Sequence, residues 1–271
     1  MSDTAPTSDP RAPIRVRHET RMRLLDVVGV TDITPRMRRI SLRGDLTGFA
    51  SLGHADHIKA FFFPDGVEPY TAPIGERGAE FLPGKRPEMR DYTPRYFDVA
   101  AGTLELDFVL HGDGPASSWA AKVKLGDKLV IGGPRGSLVV PDAFDWYLLV
   151  GDETALPALG RRIEELPAGA RVIAVIEVAD AAEEQRFTTQ ADLTLHYVHR
   201  NGQPAGTTSL LLDAVAALEF PAGEAYAYIA GETSMSKAVR AHLTDERGWN
   251  PEYIKAAGYW LLGTADAKEP H

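Results

Sequence analysis

The chain contains no cysteine. Disulfides, thiolate-held zinc and Cys-ligated iron–sulfur clusters are excluded, and any redox role must rest on a borrowed cofactor. No apolar run is long enough to span a bilayer, so no membrane insertion is expected. Residues 1–13 are rich in Ser, Thr, Pro and Asp and have no apolar core of a secretory signal. They read as part of a disordered lead-in over residues 1–20, and the chain is expected in the cytoplasm. The G-x-G-x-x-G fingerprint, the G-x-S-x-G nucleophile turn and any His/Glu spacing for zinc are all missing. No metal ligands and no catalytic triad are therefore expected. Positive charge is also short: 29 Lys and Arg stand against 38 Asp and Glu, a formal net charge of −9. That balance argues against nucleic acid as a partner, while leaving room for a local basic pocket. Arginine is dense between Arg15 and Arg43 and sparse thereafter.

What is present has two textures. The 271 residues suffice for two domains with separate cores. Up to about Pro141 the chain reads as short β-strands: 21–30, 37–42, 57–63, 103–111 and 128–131. A Thr-Asp-Ile-Thr-Pro turn separates the first two, and a Pro- and Gly-rich loop is expected over 65–87. Such a pattern predicts an antiparallel barrel. From residue 142 on, continuous apolar runs alternate with helical segments. Strands are expected at 146–150, 171–178, 193–198, 225–230 and 259–262, and helices at 156–166, 209–218 and 233–247. That order predicts a doubly wound parallel sheet, giving domains at 21–141 and 142–271.

Three segments could carry chemistry. In Arg90-Asp-Tyr-Thr-Pro-Arg95, alternate residues of a strand share a face, so Arg90 and Tyr92 stand together with Thr93 at the strand end. A guanidinium there suits a phosphate and a tyrosine suits a flat ring or a ribose, unless the segment is an ordinary strand with a surface arginine. In His111-Gly-Asp-Gly-Pro-Ala-Ser-Ser-Trp119, a Gly-rich turn opens a helix, which is either an anion site or a plain helix start capped by Ser117 or Ser118. Gly151-Asp-Glu-Thr-Ala-Leu-Pro157 and Gly231-Glu-Thr-Ser234 follow buried strands, where α/β sheets bind dinucleotides or merely turn.

These pieces occur together in a familiar order. With Asp107-Phe-Val-Leu-His111, Gly133-Pro-Arg-Gly136 and Gly258-Tyr-Trp260 they resemble the siderophore-interacting proteins over about residues 21–263. That family is a branch of the ferredoxin–NADP reductase superfamily and includes the vibriobactin-utilisation type of ferric-siderophore reductase. The resemblance implies non-covalent FAD on the barrel, with Arg90, Tyr92 and Thr93 holding the flavin ring and phosphate. It further implies Asp107, Phe108, Val109 and His111 along the flavin edge, and Gly114, Ala116 and Ser117 around the diphosphate. Asp152, Glu153, Thr154 and Ala155 would face the adenosine part of FAD or the nicotinamide. Lys59, Arg135 and Lys255 match the family's basic groups over the exposed flavin edge, where an anionic ferric siderophore docks. The implied reaction passes electrons from NADH or NADPH through FAD to chelated Fe(III), without an essential side-chain acid or base. A ferredoxin donor and a non-catalytic siderophore-binding role are the alternatives. Arg200 is a candidate for the 2′-phosphate of NADPH, or else a surface arginine, and a monomer is expected.

Overall fold

The computed structural model of the protein describes residues 9–75, 78–112 and 114–264. In chain order the strands are β1 (Ile14–Arg17), β2 (Met22–Thr34), β3 (Met37–Arg43), β4 (Ile58–Phe62), β5 (Ile74–Gly75), β6 (Gly78–Ala79), β7 (Glu88–Tyr92), β8 (Tyr96–Asp98), β9 (Thr103–Val109), β10 (Lys128–Gly132) and β11 (Gly136–Val139). One helix, α1 (Pro115–Lys122), lies between β9 and β10. The second half supplies β12 (Trp146–Asp152), α2 (Leu156–Glu165), β13 (Arg171–Val178), β14 (Asp192–His199), α3 (Leu210–Ala216), β15 (Ala225–Glu232), α4 (Thr233–Ala241) and β16 (Ile254–Trp260).

The first half builds a seven-stranded sheet in the order β7-β4-β10-β2-β3-β9-β8. Every pairing in it is antiparallel. No β7–β8 ladder closes the ring among the described residues, so the expected barrel is an open half-barrel. Alternation explains the inside: Leu104, Leu106 and Phe108 of β9 face Ile40, Leu42 and Leu129 in one buried cluster. α1 plugs this cluster with Ala116 and Ala120. Arg38 holds the helix in place by donating to the carbonyls of Ala120 and Ala121 at its C-terminal end.

The second half is a five-stranded parallel sheet, β14-β13-β12-β15-β16. β12 and β15 are buried along their whole length, as their unbroken apolar runs require. α2 covers the face that turns toward the half-barrel, and α3 and α4 cover the other. The strand order reverses between β12 and β15, the place where such sheets open a crevice at their carboxyl ends.

α2 joins the two halves. Arg161 is buried and donates to the Ser51 hydroxyl at 2.8 Å and to the Pro94 carbonyl at 3.2 Å. One turn on, Glu164 accepts both ends of the Arg95 guanidinium at 2.7 and 2.8 Å. Beyond β13, Glu183 accepts from the Thr34 hydroxyl at 2.6 Å and from the Arg36 amide.

Several elements differ from the sequence-based expectation. β2 runs on through the expected turn to Thr34, so the reversal into β3 is confined to Pro35 and Arg36. β16 starts five residues earlier than expected, because Ile254 is buried beside Ala227 of β15. The last helix breaks at Ala241 into a wider π-type turn, His242–Glu246. Within the expected lead-in, Ile14–Arg17 forms a strand paired antiparallel with β11. The rest of that expectation, residues 1–8, lies outside the described residues.

Candidate functional site

The candidate site gathers β7, which α1 approaches through Trp119 and Phe108 of β9, and Tyr259 near the carboxyl end of β16. β7 pairs with β4 so that Tyr92 lies opposite Ile58, Arg90 opposite Ala60 and Asp91 opposite Lys59. Tyr92 packs its ring 4.2 Å from Phe108, which in turn lies 5.6 Å from Trp119. Phe108 is fully buried, so it supports Tyr92 from beneath and presents no surface of its own. Burial raises the Tyr92 phenol's pKa well above its ordinary value, so the ring is neutral. Val109 is half-buried and packs toward the second domain.

The start of α1 has the geometry of an anion site. The first bond within the helix is from Ser118 N to the Gly114 carbonyl. Pro115 has no N–H, and Gly114 offers no side-chain cap. The amides of Ala116 and Ser117 therefore have no acceptor among the described residues. The Ser117 hydroxyl is used elsewhere, accepting from the His111 amide at 2.8 Å and folding the turn back on the helix. His111 itself is exposed. A Cβ built on Gly114 would meet only the His111 ring, at 4.0 Å, so there is room for a side chain at this position. Amides without a side-chain cap, beside Tyr92 and Trp119 with Phe108 packed behind them, fit a long cofactor with an anionic middle and a flat aromatic end.

Thr93 is buried just past the end of β7, with its side chain beside Tyr259 of β16. The Tyr259 hydroxyl also meets that of Tyr228, at 2.8 Å. These two tyrosines bring the second domain to the Arg90–Thr93 segment. The Gly258-Tyr-Trp260 motif was visible in the sequence, but nothing local indicated that its tyrosine reaches across the domain seam.

The remaining acidic residues of the expected site are committed to internal partners. Asp107 is buried and receives a bidentate Arg39 at 2.7 and 2.8 Å, directly across the β3–β9 ladder. Asp152 accepts four bonds: from Thr154 N and its hydroxyl, from Glu232 N at 2.8 Å, and from the Trp260 indole at 2.8 Å. Ala155 is fully buried behind it. Glu232 caps α4 by accepting from Met235 N. Both strand-to-helix turns of the second domain thus hold carboxylates of the chain itself. Arg200 is not a surface residue: it is buried, with Glu153 bonded bidentately and Glu177 at 3.1 Å. Its amide bonds the Val178 carbonyl, which places the side chain over the end of β13.

Burial, and then Glu153, push the Asp152 carboxyl up to about 6. Burial, and then Arg162, push the His54 imidazole down to about 3, where it sits between the Ala158 carbonyl and the Tyr228 ring. The two groups act on stability with opposite sign. A raised Asp152 stabilises the fold at low pH and loses that contribution as pH rises through 6. A depressed His54 costs stability as pH falls below its ordinary value of 6.5. Between pH 6 and 4.5 each is worth on the order of 2 kcal/mol, so they largely offset. In urea titrations over this range, Asp152→Asn is expected to steepen the loss of stability on acidification, and His54→Asn to reverse it.

Of the three expected basic groups, Lys59 is matched by Asp91 at 2.5 Å. Arg135 is exposed in the turn before β11, and Lys255 is half-buried in β16 opposite Tyr228. Neither of the latter two has a carboxylate partner among the described residues.

Comparisons with known proteins find relatives of both halves of the chain. The family model for the siderophore-interacting FAD-binding domain matches residues 26–138, and that for the siderophore-interacting protein matches residues 144–263. The NADPH-dependent ferric-chelate reductase of Escherichia coli is 36% identical over 93% of this chain and 97% of its own length. The ferric vibriobactin reductase of Vibrio cholerae is 31% identical over 89% of this chain and 90% of its own. The crystal structure of a siderophore utilization protein from T. fusca superposes with a TM-score of 0.87 at 40% identity, covering 94% of this chain and 98% of that one. Solved ferredoxin and dioxygenase reductases at 14–18% identity share the architecture alone.

Proposed function

This chain belongs to the siderophore-interacting protein family, and we propose that it is an FAD-dependent ferric-siderophore reductase drawing its electrons from NADPH. The observation that carries the reading is the pairing of an α1 start that has no side-chain cap from Gly114 with the aromatic cluster around Tyr92, in a chain that has no thiol. Bound FAD would supply the hydride-accepting and one-electron-donating chemistry by which NADPH could reduce chelated Fe(III) and release it as Fe(II).

The chain's own residues bind and orient. The amides of Ala116 and Ser117 hold the diphosphate, with Gly114 keeping its approach open. Arg90 and Tyr92 face the ring and phosphate from one side of β7, and Thr93, beside Tyr259, meets the ring's polar rim. Val109 and His111 border the same strand end, while Asp107 acts through Arg39 as a positioning residue for β9. Asp152, Thr154 and Ala155 shape the floor of the crevice on the nicotinamide side. With Arg200 held by Glu153 and Glu177, selection for a 2′-phosphate falls to other residues or to release of that pair. Arg135 and Lys255, with Lys59 tempered by Asp91, attract the anionic chelate to a protein that is acidic as a whole.

We take the domain boundary at Pro141 and the site as complete in one chain, consistent with a monomer acting in the cytoplasm; among the described residues no helix is long and apolar enough to cross a membrane. Purified protein is expected to be yellow and to release one FAD per chain on heating. A colourless protein that takes up no FAD would favour a bare siderophore-binding module. A flavoprotein that NADPH cannot bleach, but reduced ferredoxin can, would replace the donor.

A further inference from the structure

The N-terminal segment lies across the second domain and the half-barrel as a strap. At its start, Asp9 accepts from the Tyr253 hydroxyl at 2.7 Å, two residues before Lys255. Arg11 then donates to the Ala143 carbonyl. β1 pairs residue for residue with β11, from Ile14 opposite Val139 to Arg17 opposite Gly136. At its end, His18 N bonds the Arg135 carbonyl at 2.9 Å. The strap thus connects the two elements that carry the unpaired basic groups of the proposed chelate site.

Its own side chains divide by face. Val16 and His18 turn inward, and the His18 ring meets Ser137, whose hydroxyl bonds Asp56 in the buried seam. Arg15 and Arg17 turn outward and are exposed. Among the described residues neither has a carboxylate within ion-pair distance. Arg15 stands close enough to Lys255 that, after burial itself, it is the next cause holding that ammonium's pKa below its ordinary value. Such an arrangement of like charges is unfavourable unless an anion comes between them. In a chain of net charge −9, a group of unpaired cations on one strap is a local field of opposite sign to the whole.

We propose that β1 is a wall of the chelate site, and that Arg15, supported by Arg17, binds the anionic donor groups of the ferric siderophore together with Lys255 and Arg135. This rests on the reductase reading for the identity of the ligand. The sequence disguised it, because the segment looks like a charged lead-in and its partner strand lies more than a hundred residues away.

The test uses a redox-inert probe, so it does not depend on turnover. The FAD-loaded protein is titrated with the gallium(III) complex of a tricatecholate, followed by quenching of protein fluorescence. Arg15→Glu is expected to weaken binding about tenfold, and the Arg15→Glu/Arg17→Glu pair further. Lys124→Glu, an equal charge change in the turn after α1, is expected to alter binding less than twofold, since a distant exposed charge is screened. Raising NaCl from about 50 to 500 mM, roughly a threefold shortening of the screening length, should weaken the wild type and leave the double variant nearly unchanged. The proposal is overturned by equal binding in wild type and Arg15→Glu, by an equal effect of Lys124→Glu, or by a wild type that does not bind the complex. Failure of the reductase reading would instead show as flavin that no donor bleaches, whatever the gallium complex does.

Discussion

Gly114→Asp is expected to yield a well-folded protein that has lost its FAD. Gly114 has φ −65° and ψ 148°, a conformation open to any L-residue, and a Cβ there meets nothing closer than 4.0 Å. Aspartate is among the best N-cap residues, so the apoprotein should be as stable as the wild type or a few tenths of a kcal/mol more so. The same carboxylate sits where the diphosphate would bind the Ala116 and Ser117 amides, and it competes for those donors. Two like charges about 4 Å apart near a protein surface repel by up to about 4 kcal/mol. A loss of FAD affinity of at least about 100-fold, or 2.7 kcal/mol, is therefore expected. Gly114→Asn caps the helix without the charge and should retain FAD within about tenfold. Flavin titration and thermal melts of the three apoproteins read both quantities. A Gly114→Asp protein that purifies fully loaded would place the diphosphate elsewhere.

The second large effect is at the domain seam. Arg161→Met removes a buried guanidinium that donates to the Ser51 hydroxyl, the Ser51 carbonyl and the Pro94 carbonyl. Ser51 also bonds Asp56, which accepts from Gly53 N and the Ser137 hydroxyl. Without Arg161 the Ser51 hydroxyl that bonds the buried Asp56 loses its charged donor, and two carbonyls lose a donor each. Breaking such a network by removing one partner costs about 3–5 kcal/mol. For a chain of this size that corresponds to a fall in Tm of roughly 10 °C. Arg161→Lys keeps the charge but not the fork, and should fall between the two. Because the seam also sets where Tyr259 meets Thr93, the methionine variant should slow flavin bleaching by NADPH in the protein that remains folded. A melt within about 2 °C of wild type would contradict the role given to α2.

The extent to which the sequence disclosed this site follows from how local each feature is. Thr103–Val109 and Trp146–Asp152 declare themselves through alternation and an unbroken apolar run, because their burial is set by neighbours along the chain. Arg90 and Tyr92 are legible as a pair for the same reason, and the Gly114–Ser117 turn because a Gly-Pro start without a side-chain cap is a local property. The engagement of Asp107 with Arg39 is a cross-strand match between segments 68 residues apart, and no local pattern encodes it. Arg200 looks like a surface arginine until β14 is placed beside β13, which brings Glu177 to it. β1 offers only Val16 as an inward apolar residue, too little for periodicity to register. The contact between Tyr259 and Thr93 depends on the packing of one domain on the other, which follows from α2 and not from any single motif.

The direct measurement is anaerobic: the purified flavoprotein is mixed with NADPH, and a ferric catecholate is then added with an Fe(II) trap while the visible spectrum is followed. The expected result is bleaching of the flavin band by NADPH, then its return in step with the Fe(II)–trap complex, with two Fe(II) formed per NADPH consumed. A bleached flavin that the ferric chelate leaves unchanged, with no Fe(II) formed, would contradict the reductase assignment.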